Sequence, residues 1–254
     1  MPIQDLKLNA IILAAGMGRR LIPITQNMPK PLLEFRFKQS ILEYTLLSMN
    51  EANLFKKVIV VTGYMHSTVE NMIESLSREI KFEIKCVVNS QYASKNVLWS
   101  VEAGLNAAGD GDIFLMNGDT LFSMAVFEKM KQTLLVKGIP EGGIIGSLKK
   151  EYGSDDILLQ FDNMDRIVHV GKHLGQASAV ASGIILISAG LRTYYSAKLE
   201  ELKPLDNIIH HDIIEALCIE GVPITFIPVS PHDWLEIDTI DDLYTARERF
   251  GGVT

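Results

Sequence analysis

A glycine-rich loop followed by two cations is the first part of this sequence that could do chemistry. Gly16 and Gly18 carry no side chain, so backbone amides can approach an anion closely. Arg20 lies in the same loop, and Lys30 lies between two prolines whose rings restrict the backbone. Two cations beside such a loop indicate a polyphosphate site. An ordinary strand-to-helix turn with solvated basic residues is the alternative interpretation.

The loop fits neither of the two common phosphate-binding motifs. A dinucleotide-binding fingerprint requires a third glycine at the position of Leu21. A Walker loop requires Gly-Lys-Ser or Gly-Lys-Thr after its glycines, which is missing here. The loop therefore indicates a phosphate site of a different kind.

Carboxylates at two places in the sequence predict a Mg²⁺ site. Asp119 follows a predicted strand at its carboxyl end, where open α/β sheets bind their ligands. Trp234, Glu236 and Asp238 alternate with apolar residues, so a strand would place all three on one face. Carboxylate oxygens from separate strands suit a hard cation, and we assign Asp119 and Asp238 to the metal.

Both aspartates also have a purely structural interpretation. Asp119 could begin a turn, and Asp238 could cap the last helix, with Asp241 at the third helical position. Thr239 could be that cap instead, so capping does not exclude a metal at Asp238.

Polar residues between positions 89 and 100 predict a site for the nucleotide base. They are Asn89, Tyr92, Asn96 and Ser100, and the last two would share one face of a helix. An asparagine amide donates and accepts hydrogen bonds, as a pyrimidine edge requires, and Tyr92 could stack on the base. A helix cap and a packed tyrosine are the alternative.

Alternating strands and helices must position these side chains. Apolar periodicity predicts strand 9–15, helix 40–50, strand 57–62, helix 66–78, strand 82–89, helix 95–107 and strand 112–117. Strand-like segments then predominate at 143–148, 157–161, 167–170 and 179–188, followed by helix 206–220, strands 223–228 and 233–238, and helix 240–250. This order predicts a doubly wound α/β sheet with a small β-rich subregion, in one domain without repeats.

The composition excludes several classes of protein. The 254 residues carry 24 Lys and Arg against 31 Asp and Glu, and a net charge of −7 argues against a nucleic-acid or anionic-membrane binder. Cys86 and Cys218 are isolated, so no disulfide framework or zinc site is indicated. The longest uncharged stretch, residues 174–191, is too short and too polar to span a membrane. Residues 1–9 do not resemble a signal peptide, so we expect a cytoplasmic protein.

The motif around the glycine loop resembles the signature of the sugar-phosphate nucleotidyltransferases. Residues 13–32 match L-A-A-G-x-G-x-R-L-x-P-x-T-x-x-x-P-K-P-L at every position. The resemblance implies a Rossmann-like, GT-A-like mixed sheet and a Mg²⁺-dependent transfer of a nucleotide to a phosphorylated acceptor. It implies that Arg20 and Lys30 are catalytic, and that the nucleotide is bound by Leu13, Ala14, Ala15, Gly16, Gly18, Gly63, Tyr92, Asn96, Ser100 and Gly118.

The same resemblance supports paired metal aspartates at Asp119 and Asp238. Some relatives have Asp-x-Asp at the first of these places, whereas this chain has Asn117, which leaves Asp119 as the only acid there.

The resemblance does not identify a single acceptor, because different motifs resemble enzymes with different acceptors. The spacing from 89 to 100 and the W-x-E-I-D motif resemble cytidylyltransferases that activate phosphocholine and aminoethylphosphonate, whereas residues 170–174 and 182–184 resemble inositol-phosphate cytidylyltransferases. Both resemblances favour CTP. They imply an acceptor site formed by Lys172, which would bind the acceptor phosphate, and by Gly183, Trp234 and Glu236.

A single domain over residues 1–254 is expected, with a nucleotide-binding part at about 9–137 and 223–254 and an acceptor-binding part at about 140–222. The expected partners are CTP, or another nucleoside triphosphate, and a small phosphorylated acceptor. The sequence is compatible with a homodimer, and neither nucleic-acid binding nor membrane insertion is expected. A uridylyl- or thymidylyltransferase acting on a sugar 1-phosphate, and a non-catalytic nucleotide-binding regulatory subunit, are the alternative functions.

Overall fold

Strands and helices alternate along the chain in the computed structural model, which describes residues 6–148, 152–164 and 166–251. The strands of this part are β1 (Leu8–Ala14), β2 (Glu34–Arg36), β3 (Gln39–Ser40), β4 (Phe55–Thr62), β5 (Glu83–Val88), β6 (Ile113–Asn117), β7 (Thr120–Phe122), β8 (Gly142–Leu148), β9 (Leu158–Phe161), β10 (Ile167–Gly171), β11 (Ala179–Ile187), β12 (Ile224–Pro228) and β13 (Trp234–Glu236). The helices are α1 (Ile41–Ala52), α2 (His66–Leu76), α3 (Leu98–Ala108), α4 (Met124–Lys137), α5 (Arg192–Leu202), α6 (His210–Ile219) and α7 (Ile240–Phe250). Residues 1–5, 149–151, 165 and 252–254, which belong to the predicted domain and its parts, lie outside the described residues.

The principal sheet is mixed. Its strand order is β5-β4-β1-β6-β11-β8-β12, and β9 and β10 extend it beside the first part of β11. Strands β5, β4, β1 and β6 run parallel, whereas β11 is antiparallel to β6 and β8. Most of the parallel strand β1 is fully buried, as its dense apolar sequence predicts.

Helices cover both faces of this sheet. On one face, α1, α2 and α4 pack over a core that includes Ile12, Met49 and Phe127. On the other face, α3, α5 and α6 pack over a core that includes Ile11 and Ile213. Because successive side chains of a strand point to opposite faces, β1 contributes to both cores. The predicted doubly wound α/β class is confirmed.

A third, smaller core joins the glycine loop to the C-terminal region. Leu21 and Leu33 of the loop pack with three residues of the C-terminal region and β7. These are Leu121 of β7, Ile237 in the segment after β13, and Leu243 of α7. These residues come from three distant parts of the sequence, so their burial fixes the loop relative to β7 and α7.

Two helices lie where none was predicted, at α4 and α5. The sequence of α5 carries a weak signal because Tyr195 and Leu199 are its only buried residues, and a stripe this narrow gives little periodicity. The region after residue 140 is therefore less purely β than predicted.

Two predicted helices begin later than their sequences indicated. Helix α3 begins at Leu98 instead of residue 95, because Asn96 Oδ1 accepts a hydrogen bond from the Leu98 amide at 3.1 Å. Helix α6 begins at His210 instead of residue 206, and the Asp212 carboxylate accepts a bond from the amide of the preceding Ile209 at 2.7 Å. In the described part of the chain, no helix combines the length and apolar character needed to cross a membrane.

Close packing of α3 on β1 and β4 predicts a specific weakness at Gly104. A Cβ atom there would lie 2.5 Å from Ile11 Cγ2 and 3.2 Å from Val61 Cγ2, so the variant Gly104→Val overpacks the core. We expect it to lower the free energy of unfolding by about 1 to 3 kcal/mol in urea titrations. The matched control is Asn106→Val, which adds the same side chain at an exposed position of α3. Equal stability of the two variants would contradict this packing.

Candidate active site

A two-stranded ribbon brings together the acids predicted to bind metal. Strand β7 pairs antiparallel with β13, with Thr120 opposite Glu236. The amide of Ile237 continues the ribbon by donating to the carbonyl of Asp119 at 2.9 Å. Asp119 precedes one strand and Asp238 follows the other, so the pairing sets their carboxylates side by side although they are far apart in sequence.

Lys30 lies between these two carboxylates. Its Nζ is 2.8 Å from Asp119 Oδ2 and 2.7 Å from Asp238 Oδ1, and the residue is only 8% exposed. Burial alone would lower the pKa of Lys30, but the two adjacent carboxylates outweigh it and raise that pKa above its usual value. Lys30 is therefore charged and neutralises much of the negative charge of the pair.

Arg20 contacts one of these two acids, Asp238, from a more exposed position. Its guanidinium lies 2.8 Å from Asp238 Oδ2 and 3.3 Å from Asp155 Oδ2. Lys172 approaches the other oxygen of Asp155 at 3.6 Å. Such exposed ion pairs contribute little to stability, so both cations can turn toward an anion at small cost.

Gly18 allows the glycine loop to pack on Lys30. Its backbone φ is +61°, and a Cβ there would lie 3.0 Å from Thr25 Cγ2 and 3.1 Å from Lys30 Cβ. The Thr25 hydroxyl also donates to the Gly18 carbonyl at 2.9 Å. The position therefore favours glycine both for its conformation and for the close approach of Lys30.

Three carboxylates at the ribbon could hold a metal ion. Asp119, Glu236 and Asp238 each offer an oxygen, and these oxygens lie within 4.8 Å of one another. Asp119 Oδ1 is buried and has no hydrogen-bond partner among the described residues, so it is available as a ligand. An all-oxygen set of this kind fits a hard divalent cation.

Asp238 is not the cap of the last helix. Thr239 caps α7, because its side chain accepts a bond from the Asp242 amide at 3.2 Å and the Asp242 carboxylate accepts bonds from the Thr239 amide and hydroxyl. The carboxylate of Asp238 is left to face Lys30 and Arg20.

The third acid, Glu236, has an unusual pKa. The residue keeps an exposed surface at the cavity, but the protein around its carboxyl removes part of its hydration, and this desolvation, together with the charges of Asp119 and Asp238, raises its pKa to about 8. Lys30 and Arg20 oppose the effect without cancelling it. The raised pKa of Glu236 follows from how closely the three carboxylates lie together.

These groups face a cavity of about 370 Å³, within the range of small-ligand sites. Most of the residues predicted for the site line it, namely Leu13, Ala15, Gly16, Arg20, Tyr92, Asn96, Ser100, Asp119, Lys172, Gly183, Glu236 and Asp238. The structure thus brings the predicted nucleotide, metal and acceptor groups to one cavity.

Comparison with known proteins adds a family to this geometry. Residues 9–151, more than half of the chain, match the family model described as nucleotidyl transferase. The chain belongs to this family. The predicted family membership is confirmed, and so, at the level of the family, is the classification as a nucleotidyltransferase enzyme.

Proteins similar to this chain include cytidylyltransferases, as the sequence resemblance implied. A CMP-5'-(3-aminopropyl)phosphonate synthase of Streptomyces rubellomurinus is 27% identical, over 95% of this chain and 38% of that protein. A 2-aminoethylphosphonate cytidylyltransferase of Lancefieldella rimae is 24% identical, over 93% of this chain and 91% of that protein. An inositol-1-phosphate CTP transferase from T. maritima has the same fold, with a TM-score of 0.75 and 19% identity over 99% of both chains. The chain spans less than half the length of the first curated relatives that it matches.

Some residues predicted for the site do not line the cavity. They are Ala14, Gly18, Lys30, Gly63, Gly118 and Trp234. Lys30 contacts Asp119 and Asp238, which do line the cavity. Gly63 leaves room for Tyr92, since a Cβ there would lie 2.7 Å from the Tyr92 Cβ. Trp234 packs on the core and donates from Nε1 to the Ser147 hydroxyl at 2.7 Å, so its position does not match the predicted contact with the acceptor.

The side chain of Asn96 is not free to bind a nucleotide base as predicted. Its amide nitrogen donates to the carbonyls of Lys203 at 2.9 Å and Leu205 at 2.8 Å, and its oxygen accepts a bond from the amide of Leu98, the first residue of α3. Both donors are occupied, so the structure favours a structural function of Asn96 at the start of α3 over recognition of a base. Ser100 likewise accepts a bond from the Asn89 amide at 2.9 Å, which orders the pocket wall.

Sequence reasoning also missed residues that line the cavity. They are Lys95, Val97, Asn117, Asp155, Asp156, Ile157, Ala181, Ile209, His210 and His211. Asn89, which belongs to the predicted base site, lines the cavity too, and Asn117 stands within a recognised motif, which was a usable signal. Asp155 carries none, because its link to Arg20 depends on the fold alone.

His210 and His211 are the buried titratable members of this set. They are 5% and 3% exposed, and their ring centroids are 4.2 Å apart. Burial lowers the pKa of His210 to about 4, and burial plus the neighbouring ring lowers the pKa of His211 well below its usual value. Both imidazoles are therefore neutral at physiological pH.

The two neutral histidines predict acid sensitivity. Unfolded imidazoles bind protons below pH 6.5 whereas the folded rings do not, so stability falls as the pH drops from 6.5 toward 4. We expect His210→Gln to reduce the fall in unfolding free energy between pH 7 and 5 by about 2 kcal/mol, measured by urea titration. The control His232→Gln, at an exposed residue, should follow the wild type. Parallel pH curves for His210→Gln and the wild type would contradict this assignment.

Proposed function

We propose that this chain is a Mg²⁺-dependent cytidylyltransferase, which transfers CMP from CTP to a small phosphate or phosphonate ester and releases pyrophosphate. The observation that carries the proposal is the contact of Lys30 and Arg20 with Asp119 and Asp238 at one cavity, in a chain of the nucleotidyl transferase family. A cavity that combines fixed cations with a carboxylate cluster suits a polyphosphate and its metal.

The choice of CTP is supported by similar proteins that align along most of their length. The Lancefieldella rimae relative, matched over 91% of its length, is named as a cytidylyltransferase. Tyr92 and Lys95 at the cavity wall offer a ring face and a donor to a base, although the Asn96 amide is occupied.

The chemistry is a single in-line displacement. An oxygen of the acceptor phosphate attacks the α-phosphorus of CTP, the bond from that phosphorus to the bridging oxygen breaks, and pyrophosphate leaves. Arg20 and Lys30 stabilise the negative charge that develops on the transferring and leaving phosphates, and Lys172 binds the acceptor phosphate. Because these groups are held before the reaction begins, positioning and charge supply most of the rate enhancement.

The metal would be held by Asp119 and Asp238, with Glu236 next to them. When bound, Mg²⁺ supplies positive charge to the phosphate oxygens of the nucleotide. Its charge would also lower the pKa of Glu236.

We propose that two parts of the chain bind different substrates. Residues at about 9–137 and 223–254 bind the nucleotide, and residues at about 140–222 bind the acceptor. The enzyme acts in the cytoplasm on small molecules.

Removing the charge of Lys30 or of Asp119 should abolish most of the activity. We expect Lys30→Met and Asp119→Asn to reduce the rate of pyrophosphate release by about 10²- to 10³-fold, because each removes one preorganised charge. The control is Lys85→Ala, at an exposed lysine of β5. Full activity in a Lys30→Met protein with a native circular dichroism spectrum would refute the mechanism.

Metal removal gives an independent test. Pyrophosphate release should stop when EDTA is added and recover with excess Mg²⁺. Asp119→Asn should weaken the binding of Mn²⁺ measured by calorimetry, since it removes a charged ligand. Activity that persists in EDTA would exclude the metal.

A panel of the four nucleoside triphosphates distinguishes the alternative functions. Turnover with CTP is expected. Turnover with UTP or dTTP and a sugar 1-phosphate instead would favour a uridylyl- or thymidylyltransferase. Tight CTP binding without turnover of any acceptor would favour a regulatory subunit.

A further inference from the structure

Two buried histidines in the cavity wall take no part in the transfer described above. His210 and His211 line the cavity, and none of their four ring nitrogens has a hydrogen-bond partner among the described residues. Buried polar atoms without a protein partner are rare in folded proteins, and they are normally satisfied by water or by a ligand. Both residues also line the cavity, so a ligand bound there lies next to the two rings.

The histidines are fixed in place next to the acceptor side of the cavity. They begin α6, and Glu215 of that helix accepts a bond from the Val170 amide of β10 at 2.6 Å and contacts His169 Nδ1 at 2.9 Å. Strand β10 ends one residue before Lys172, which lines the same cavity. The rigid link between α6 and β10 therefore sets both histidines relative to the lysine that would hold the acceptor phosphate.

A metal does not explain the pair. Among the described residues, the group of three or more metal-ligating side chains is the one at Asp119, Glu236 and Asp238, and the histidines are not part of it. The rings are neutral, so each offers one N–H donor and one nitrogen acceptor. A hydroxyl group also donates and accepts, and several hydroxyl groups on adjacent carbons can satisfy several ring nitrogens together.

The cavity is poorly suited to a quaternary ammonium group. Such groups are recognised by cages of several aromatic rings, and Tyr92 is the only Phe, Tyr or Trp that lines the described cavity. Neutral imidazoles also provide no negative charge for a primary ammonium group. Asp155 and Asp156 are carboxylates in the same wall and could hold a primary ammonium group, so an amine ester is the competing acceptor.

We infer that the acceptor is a phosphate ester of a polyol, cyclic or open-chain, whose hydroxyl groups bind His210 and His211 while its phosphate binds Lys172. This inference rests on the proposed cytidylyl transfer and narrows its acceptor. It places acceptor selection on the two histidines, which the transfer step does not use.

An acceptor panel tests the substrate class. With CTP and Mg²⁺, we expect kcat/KM for myo-inositol 1-phosphate or glycerol 3-phosphate to exceed that for phosphocholine and 2-aminoethylphosphonate by at least about tenfold, the value of one hydrogen bond. Preference for either amine ester would overturn this inference and leave the cytidylyltransferase proposal intact. No turnover of any acceptor would overturn both.

Variants test the residues. We expect His210→Leu and His211→Leu to raise KM for the preferred polyol phosphate about tenfold, with KM for CTP changed less than twofold. The polar His211→Gln should recover part of the loss, and the control His232→Leu should behave as the wild type. An equal rise in both KM values, or no rise, would contradict hydroxyl recognition by these rings.

A measurement on the wild-type protein covers the case in which the leucine variants do not fold. With ¹⁵N-labelled histidine and an unreactive α,β-methylene analogue of CTP, adding myo-inositol 1-phosphate or glycerol 3-phosphate should shift the ring-nitrogen resonances of the buried pair. The resonance of exposed His232 should stay in place. Unchanged resonances of the buried pair at saturating concentrations of both acceptors would refute the inference.

Discussion

A buried lysine between two carboxylates is the interaction on which the rest of the site depends. Lys30 comes from the glycine loop, and Asp119 and Asp238 come from the β7–β13 ribbon. A buried charge without its partner is strongly destabilising, so the loop and the ribbon must dock together before either is stable in this geometry. The resulting group carries opposite charges held at fixed distances, which suits a substrate that is itself a polyanion.

Apolar packing maintains that electrostatic arrangement. The third core, with Leu21 and Leu33 from the loop and Ile237 from the segment after β13, supplies the non-directional attraction that docks the two pieces. Gly18 then permits the final approach to Lys30. Part of the sequence motif therefore serves to position Lys30, and fewer residues of the motif than its spacing suggests line the cavity.

Local signals in the sequence predicted the sheet and the charged groups, and long-range contacts explain what it did not reveal. The dense apolar run of β1 and the spacing from Gly16 to Lys30 were sufficient for the fold and the cations. Asn96 has the right type for a base contact, but the carbonyls that occupy it, at Lys203 and Leu205, are about a hundred residues away. Nothing in local spacing identifies such partners.

The β7–β13 ribbon also governs when, during synthesis, the site can exist. A nascent chain that has emerged as far as α5 already contains Lys30 and Asp119, but neither Asp238 nor the strand that pairs with β7 has been made. Its lysine has half of its counter-charge, and β7 is an unpaired edge. Charge balance around Lys30 is thus reached only after β13 has been made, and a ribosome-bound chain that ends before β13 lacks part of this cluster.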